Sequence, residues 1–203
     1  MKIKICGLSR EEDIVMANSF QPDFIGFVFY PPSKRYVTPE RAVWLKALLD
    51  EKIKVVGVFV NAEVGFIQKL CEEGVIDMIQ LHGDEDLDYI NRLKEVTEKP
   101  IIKGVRVKSA EEILNAAKLP CAYLLLDTYR PGVYGGSGRV FDHRIIPPIT
   151  KPYFLAGGLN GENMGKAAKN CQPFALDVSS GCERNGFKDE MKFMGVVALA
   201  KLL

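Results

Sequence analysis

Two side chains able to move protons stand at the ends of strand-like segments in this sequence. Cys6 closes the alternating segment Lys2 to Cys6, and Asp127 closes AYLLLD, Ala122 to Asp127. A thiol beside a helix start can be held as a thiolate, and so act as base or nucleophile; the plainer reading is a small buried hydrophobe. A carboxyl flanked by leucines has reason to keep its proton near neutrality, as a general acid must; otherwise it is an N-cap or a loop ion pair. His82 ends the run Met78 to His82 and suits either a substrate contact or a satisfied strand-end imidazole. Arg35, within Ser33-Lys34-Arg35-Tyr36, is a solvated cation or a guanidinium turned to grip a carboxylate bidentately. Gly157-Gly158 and Ser179-Ser180-Gly181 put small residues after two late apolar runs, where backbone N–H groups can approach a phosphate; paired glycines also make ordinary tight turns. Asp177, just before the second of these segments, is a further candidate for substrate contact. Tyr134 to Gly138, with three glycines, is plain coil or a lid over substrate.

The elements that must position these residues alternate along the chain. Strands are expected at Lys2 to Cys6, Phe24 to Tyr30, Lys54 to Val60, Met78 to His82, Pro100 to Val107, Ala122 to Asp127, Pro152 to Ala156 and Pro173 to Val178. Helical patterns separate them, at Arg10 to Phe20, from Thr38-Pro39 to about Glu51, at Glu63 to Glu73, Glu85 to Thr97, Ala110 to Lys118 and Glu162 to Asn170, with a last one over Lys188 to Leu203. Between the sixth and seventh strands only a short helical piece, Asp142 to Ile146, is expected. Ser9 with Glu12 reads as a capping box for the first helix, and Thr38 with Pro39 as a strong start for the second. About eight strand–helix alternations with Val, Ile, Leu and Phe strands predict an α/β chain, a single (β/α)8 barrel domain over residues 1–203. An open doubly wound sheet is the rival, but the turn after the first strand is Gly7-Leu8-Ser9-Arg10, without the glycine fingerprint of a dinucleotide fold. In such a barrel chemistry sits at the C-terminal strand ends, and those ends carry Cys6, His82, Asp127, Asp177 and the two small-residue segments. Cys6 and Asp127, on strands one and six, face each other across the mouth.

Composition narrows the class. Hydrophobic residues make up 47% and charged residues 26%, with 27 basic against 26 acidic side chains. This is the composition of a globular domain with ample core. A net charge of +1, with both signs interleaved, argues against a nucleic-acid partner. No apolar run is long enough to span a membrane, and the opening residues lack a secretory h-region. The five cysteines, Cys6, Cys71, Cys121, Cys171 and Cys182, form no C-x-x-C pair, and there are two histidines. Neither a metal site nor a disulfide framework is expected, and a reducing cytoplasmic location is.

The ordered motifs carry a resemblance. Lys4-Ile5-Cys6-Gly7, Gly26-Phe27-Val28-Phe29 with Ser33-Lys34-Arg35-Tyr36, and Gly57-Val58-Phe59-Val60-Asn61 resemble the phosphoribosylanthranilate isomerases. So do Gln80-Leu81-His82-Gly83, Leu126-Asp127-Thr128, Gly135-Gly136-Ser137-Gly138 with Phe141-Asp142, Ala156-Gly157-Gly158-Leu159 and Asp177-Val178-Ser179-Ser180-Gly181. Together they span nearly the whole chain in the expected order. The resemblance implies a (β/α)8 barrel that performs an Amadori rearrangement of N-(5-phosphoribosyl)anthranilate in tryptophan biosynthesis, without cofactor or metal, as a monomer or homodimer. It implies Cys6 as general base, Asp127 as general acid, Arg35 at the anthranilate end, and Gly157, Gly158, Ser179, Ser180 and Gly181 around the phosphate. Ser9 stands where the family often has threonine, and His143 where many members have tryptophan. One alternative is the histidine-pathway isomerase acting on an aminoimidazole ribonucleotide, expected to have aspartate in place of Cys6. The other is a non-catalytic phosphosugar-binding protein, which would lack the acid–base pair.

Overall fold

Strands without a polar face must be covered on both sides, and parallel strands need crossovers long enough to hold a helix. The computed structural model, which describes residues 1–128 and 141–203, meets both demands by closure. Eight parallel strands pair in chain order: β1 (Lys2–Cys6), β2 (Phe24–Val28), β3 (Lys54–Phe59), β4 (Met78–Leu81), β5 (Ile101–Val107), β6 (Tyr123–Thr128), β7 (Tyr153–Leu155) and β8 (Ala175–Val178). β1 seals the barrel against β8, with Lys4 opposite Asp177 in register. Outside it lie α1 (Glu11–Phe20), α2 (Pro39–Ala47), α3 (Val64–Glu72), α4 (Leu87–Val96), α5 (Ala110–Ala117), α6 (Met164–Cys171) and α7 (Glu190–Leu202). A 3₁₀ turn, His143–Ile145, precedes β7 where the short helical piece is expected. The expected glycine loop, Tyr134 to Gly138, lies outside the described residues. Among the described residues no helix is long and apolar enough to cross a membrane.

Period two along each strand sorts the residues into two cores. Outward side chains such as Ile3, Ile5, Ile25, Phe27, Leu124 and Leu126 pack under the helices. Inward side chains Phe24, Val56, Met78, Ile102, Leu125, Phe154 and Ala175 fill the lower interior. Two residues further along the same strands the interior turns polar: Met78 gives way to Gln80, Leu125 to Asp127 and Ala175 to Asp177. One pleat, roughly 6–7 Å, separates floor from mouth.

Local structure departs from expectation in three places. The N-cap of α1 is Arg10, and the carboxylate that closes the turn is Asp13. It accepts from the backbone N–H groups of Ser9 and Arg10 at 2.9 and 3.1 Å, so the Ser9–Glu12 box is displaced by one residue. α2 ends at Ala47 rather than near Glu51 because Asn18 of α1 donates to the Leu48 carbonyl at 2.8 Å and accepts from the Asp50 N–H at 2.8 Å. That is a tertiary cap which no local pattern shows. Between β8 and α7 the chain forms a small antiparallel hairpin, β9 (Glu183–Arg184) with β10 (Phe187–Lys188). Its turn is Asn185-Gly186, both at positive φ, the commonest two-residue hairpin signal.

Candidate active site

A cleft of about 720 Å³, counted to its open rim, lies at the C-terminal ends of the strands. Cys6, Arg35, His82, Asp127, Asp177, Gly157, Gly158, Ser179 and Ser180 of the sequence candidates all line it. Gly181 stands just behind, in a second hollow that shares Gly158 and Ser180 with the cleft and has Lys192 on its wall.

Room for the reacting groups comes from glycines on the neighbouring strands. Cys6 is opposite Gly26 in register, and a Cβ at Gly26 would come within 2.8 Å of the Cys6 sulfur. A Cβ at Gly104 would lie 2.6 Å from His82 Nδ1, and one at Gly157 would lie 3.2 Å from Asp127 Oδ1. Gly157 also has φ +87°, a conformation open chiefly to glycine. Gly181 has a packing reason besides anion approach, since a Cβ there would collide with the Leu159 carbonyl oxygen.

Cys6 is buried, and burial is what raises its thiol pKa above the ordinary value. Lys4 and Lys188 pull it back down, while Asp177 adds to the rise. Ammonium groups therefore oppose desolvation of the thiolate, where the sequence suggested a helix terminus. Lys4 is fully buried. Desolvation works against its charge, yet Asp177 and Cys6 outweigh it and hold the ammonium above its usual pKa. Lys4 Nζ donates to Asp177 Oδ1 at 2.9 Å and to Gln80 Oε1 at 2.8 Å. Asp177 thus reaches the cleft with one carboxylate oxygen already engaged.

Asp127 is buried, but its surroundings are more polar than the leucine run implies. Oδ1 accepts from the Thr128 N–H at 2.7 Å, and Oδ2 lies 3.4 Å from His82 Nε2. The leucines before it alternate outward and down, so they do not enclose the carboxyl. His82 Nδ1 lies 3.1 Å from Gln80 Nε2.

Arg35 lies over Gly7, where a Cβ would strike its side chain. It pairs bidentately with Glu183, through Nε at 2.7 Å and Nη2 at 2.8 Å. Of its five N–H donors two are used, and the rest of the fork remains at the cleft wall. Lys188 Nζ also reaches Glu183 Oε1, at 2.8 Å. Burial disfavours the Glu183 charge, but Arg35 and Lys188 outweigh it and keep this carboxyl below its ordinary pKa. Lys4 and Gln80 stand inside the quoted motifs without a role assigned to them, and Glu183 and Lys188 lie outside those motifs. Glu183 and Lys188 have a local clue in the Asn185-Gly186 turn between them; Lys4 and Gln80 show one only as polar residues at inward positions of apolar strands.

Comparison with known proteins gives one picture. Residues 3–198 match the family described as N-(5′-phosphoribosyl)anthranilate isomerase. The chain is 47% identical over 202 residues to the N-(5′-phosphoribosyl)anthranilate isomerase of Endomicrobium trichonymphae, covering 100% of this chain and 99% of that one. Among solved structures it resembles the phosphoribosyl anthranilate isomerase of Thermotoga maritima, at 34% identity and TM-score 0.88, with both chains covered completely. It also resembles a phosphoribosyl anthranilate isomerase solved in complex with reduced 1-(o-carboxyphenylamino)-1-deoxyribulose 5-phosphate, at 32% identity and TM-score 0.83, again with full coverage of both.

Proposed function

The chain belongs to the N-(5′-phosphoribosyl)anthranilate isomerase family, and from that premise we propose that it converts N-(5′-phosphoribosyl)anthranilate to 1-(2-carboxyphenylamino)-1-deoxyribulose 5-phosphate, a step of tryptophan biosynthesis. The observation that carries this reading is that Cys6 and Asp127 line one cleft together with the Gly157 and Ser179 loops and Arg35. A phosphosugar bearing an aromatic carboxylate has a matching partner for each part. The small-residue loops accept the phosphate, Arg35 offers its remaining donors to the carboxylate, and the acid–base pair meets the ribose between them.

The chemistry then needs only proton transfers. Asp127, protonated, gives its proton to the ribose ring oxygen as the C1′–O bond breaks. The anthranilate nitrogen supplies its lone pair and a C1′=N Schiff base forms. Cys6, as thiolate, takes the proton from C2′; those electrons form C1′=C2′ and return the pair to nitrogen. The enolamine tautomerises by losing its hydroxyl proton and gaining one at C1′, which leaves the ketone at C2′. Asp127 Oδ1 accepts from the Thr128 N–H and Oδ2 lies 3.4 Å from His82 Nε2, polar surroundings that suit a group that must end the first step as a carboxylate.

The test is a metal-free assay in which the substrate is generated in situ and loss of its anthranilate emission is followed. Rapid decay, insensitive to chelator, is the expected result. A folded protein that left the emission unchanged and turned over the aminoimidazole ribonucleotide instead would overturn the reading in favour of the histidine-pathway activity.

A further inference from the structure

A line of side chains runs along the cleft from the cation on the strand of the base to the acid. Lys4 binds Asp177 on one side and the Gln80 carbonyl on the other. The Gln80 amide nitrogen meets His82 Nδ1, and His82 Nε2 faces Asp127 Oδ2. Lys4 is fully buried and Gln80 is 2% exposed.

The directions along this line are dictated by one group. An ammonium has donors only, so the Gln80 oxygen must face Lys4. Its NH₂ then faces His82 and can only donate, so Nδ1 must accept. A proton placed on Nδ1 would point N–H at N–H. The imidazole proton therefore sits on Nε2, aimed at Asp127. The 3.4 Å separation there is long for a hydrogen bond, as resting catalytic contacts often are. At the other end Cys6 follows Lys4 by two residues on β1 and so shares its inward face. The charges of Lys4, Asp177 on β8 and Lys188 on β10 act on its thiol, and its own charge acts on Arg35 and Cys182.

We propose that Lys4 and Gln80 are positioning residues for the isomerisation. Lys4 serves the Cys6 thiolate as its cation, and through the Gln80 amide it commits His82 to the Nε2–H tautomer that supports Asp127 as its proton leaves. The consequence for turnover rests on the isomerase reading above; the tautomer and the thiolate contact do not.

Gln80→Glu separates this role from a merely structural one. A carboxylate of the same shape still accepts from Lys4, so a packing role predicts an enzyme at least as stable and as active. The relay predicts that the carboxylate recruits a proton to Nδ1 and that kcat falls roughly tenfold or more, with KM little changed. The chain has two histidines, so ¹⁵N-histidine labelling of the full protein resolves His82 with the variant as its own assignment control. The wild type should show Nε2–H, Gln80→Glu a protonated Nδ1, and Gln80→Met a mixture with a smaller loss of kcat. Lys4→Met should move the pH midpoint of Cys6 alkylation, mapped by mass spectrometry, upward by about one unit or more. Should Lys4→Met strand Asp177 and fail to fold, the Gln80 variants decide the matter alone. A wild-type His82 protonated on Nδ1, or Gln80→Glu with unchanged kcat, overturns the proposal. Absence of isomerase turnover in the wild type, with the tautomer as described, would overturn the isomerase reading and leave the relay standing.

Discussion

Floor and mouth of this barrel are built by the same strands, one pleat apart, and they differ in almost every physical respect. In the floor, Phe154 sits at the centre of an aromatic cluster, with Phe24 and Phe174 each 5.5 Å away and Tyr123 at 5.6 Å, all edge-on. Lys2 lies 4.8 Å over Phe174 as a cationic lid below. Apolar burial there stabilises without demanding partners. In the mouth, Lys4, Gln80, His82, Asp127 and Asp177 are as buried as a core, yet each needs a particular neighbour. Removal of a buried charged group's partner costs far more than the pair contributes relative to an apolar filling. The contrast teaches that floor substitutions act on stability, whereas mouth substitutions act on chemistry and, where they strand a buried charge, on stability as well.

The sharpest way to break this division is to remove the acid or the base. Asp127→Asn and Cys6→Ala should each lower kcat by roughly 10²–10⁴-fold, while the thermal midpoint stays within a few degrees of wild type. For Asp127→Asn, affinity for a product analogue should be largely retained; a variant that kept turnover and lost affinity would make Asp127 a binding group. Phe154→Ala tests the other half. It should cost about 3–5 kcal/mol in denaturant unfolding, with kcat per folded molecule nearly unchanged; an equal loss of kcat would erase the distinction between floor and mouth. Glu183→Gln gives the smallest effect. The Glu183 carboxyl is held below its ordinary pKa, so its ionic contribution is complete above the unfolded-state value, about 4.3, and is lost as pH falls through the depressed folded value. The stability gap between wild type and variant should be flat near neutrality and close on the acid side of that value. A gap independent of pH would show that packing, not charge, gives Glu183 its role beside Arg35.

Much of the site is legible without coordinates because a strand end is a local feature. Cys6, His82, Asp127 and Asp177 each stand at or near the end of a strand-like segment, and a barrel sends such residues to one rim. Arg35 is legible as a cation near that rim, but its bidentate hold on Glu183 is not. The two are 148 positions apart, and the contact depends on a hairpin folding back beside β1. The leucines before Asp127 mislead in the same way. In sequence they surround the carboxyl, but pleating turns Leu124 and Leu126 outward and leaves Leu125 one layer below.

By itself the sequence determined the alternation of strands and helices, the covered parallel barrel and the rim residues with reactive groups. All of these follow from periodicities of a few residues and from hydrophobic patterning that any chain segment carries alone. Tertiary structure decided which rim residues touch. Lys4 meets Gln80 across 76 positions and Asp177 across 173, because closure of β1 on β8 brings the chain's two ends together. It also decided which glycines make room for a sulfur, an imidazole and a carboxyl, and which nitrogen of His82 holds the proton. A hydrogen-bond direction depends on the partner's chemistry and position in space, and spacing along the chain contains neither.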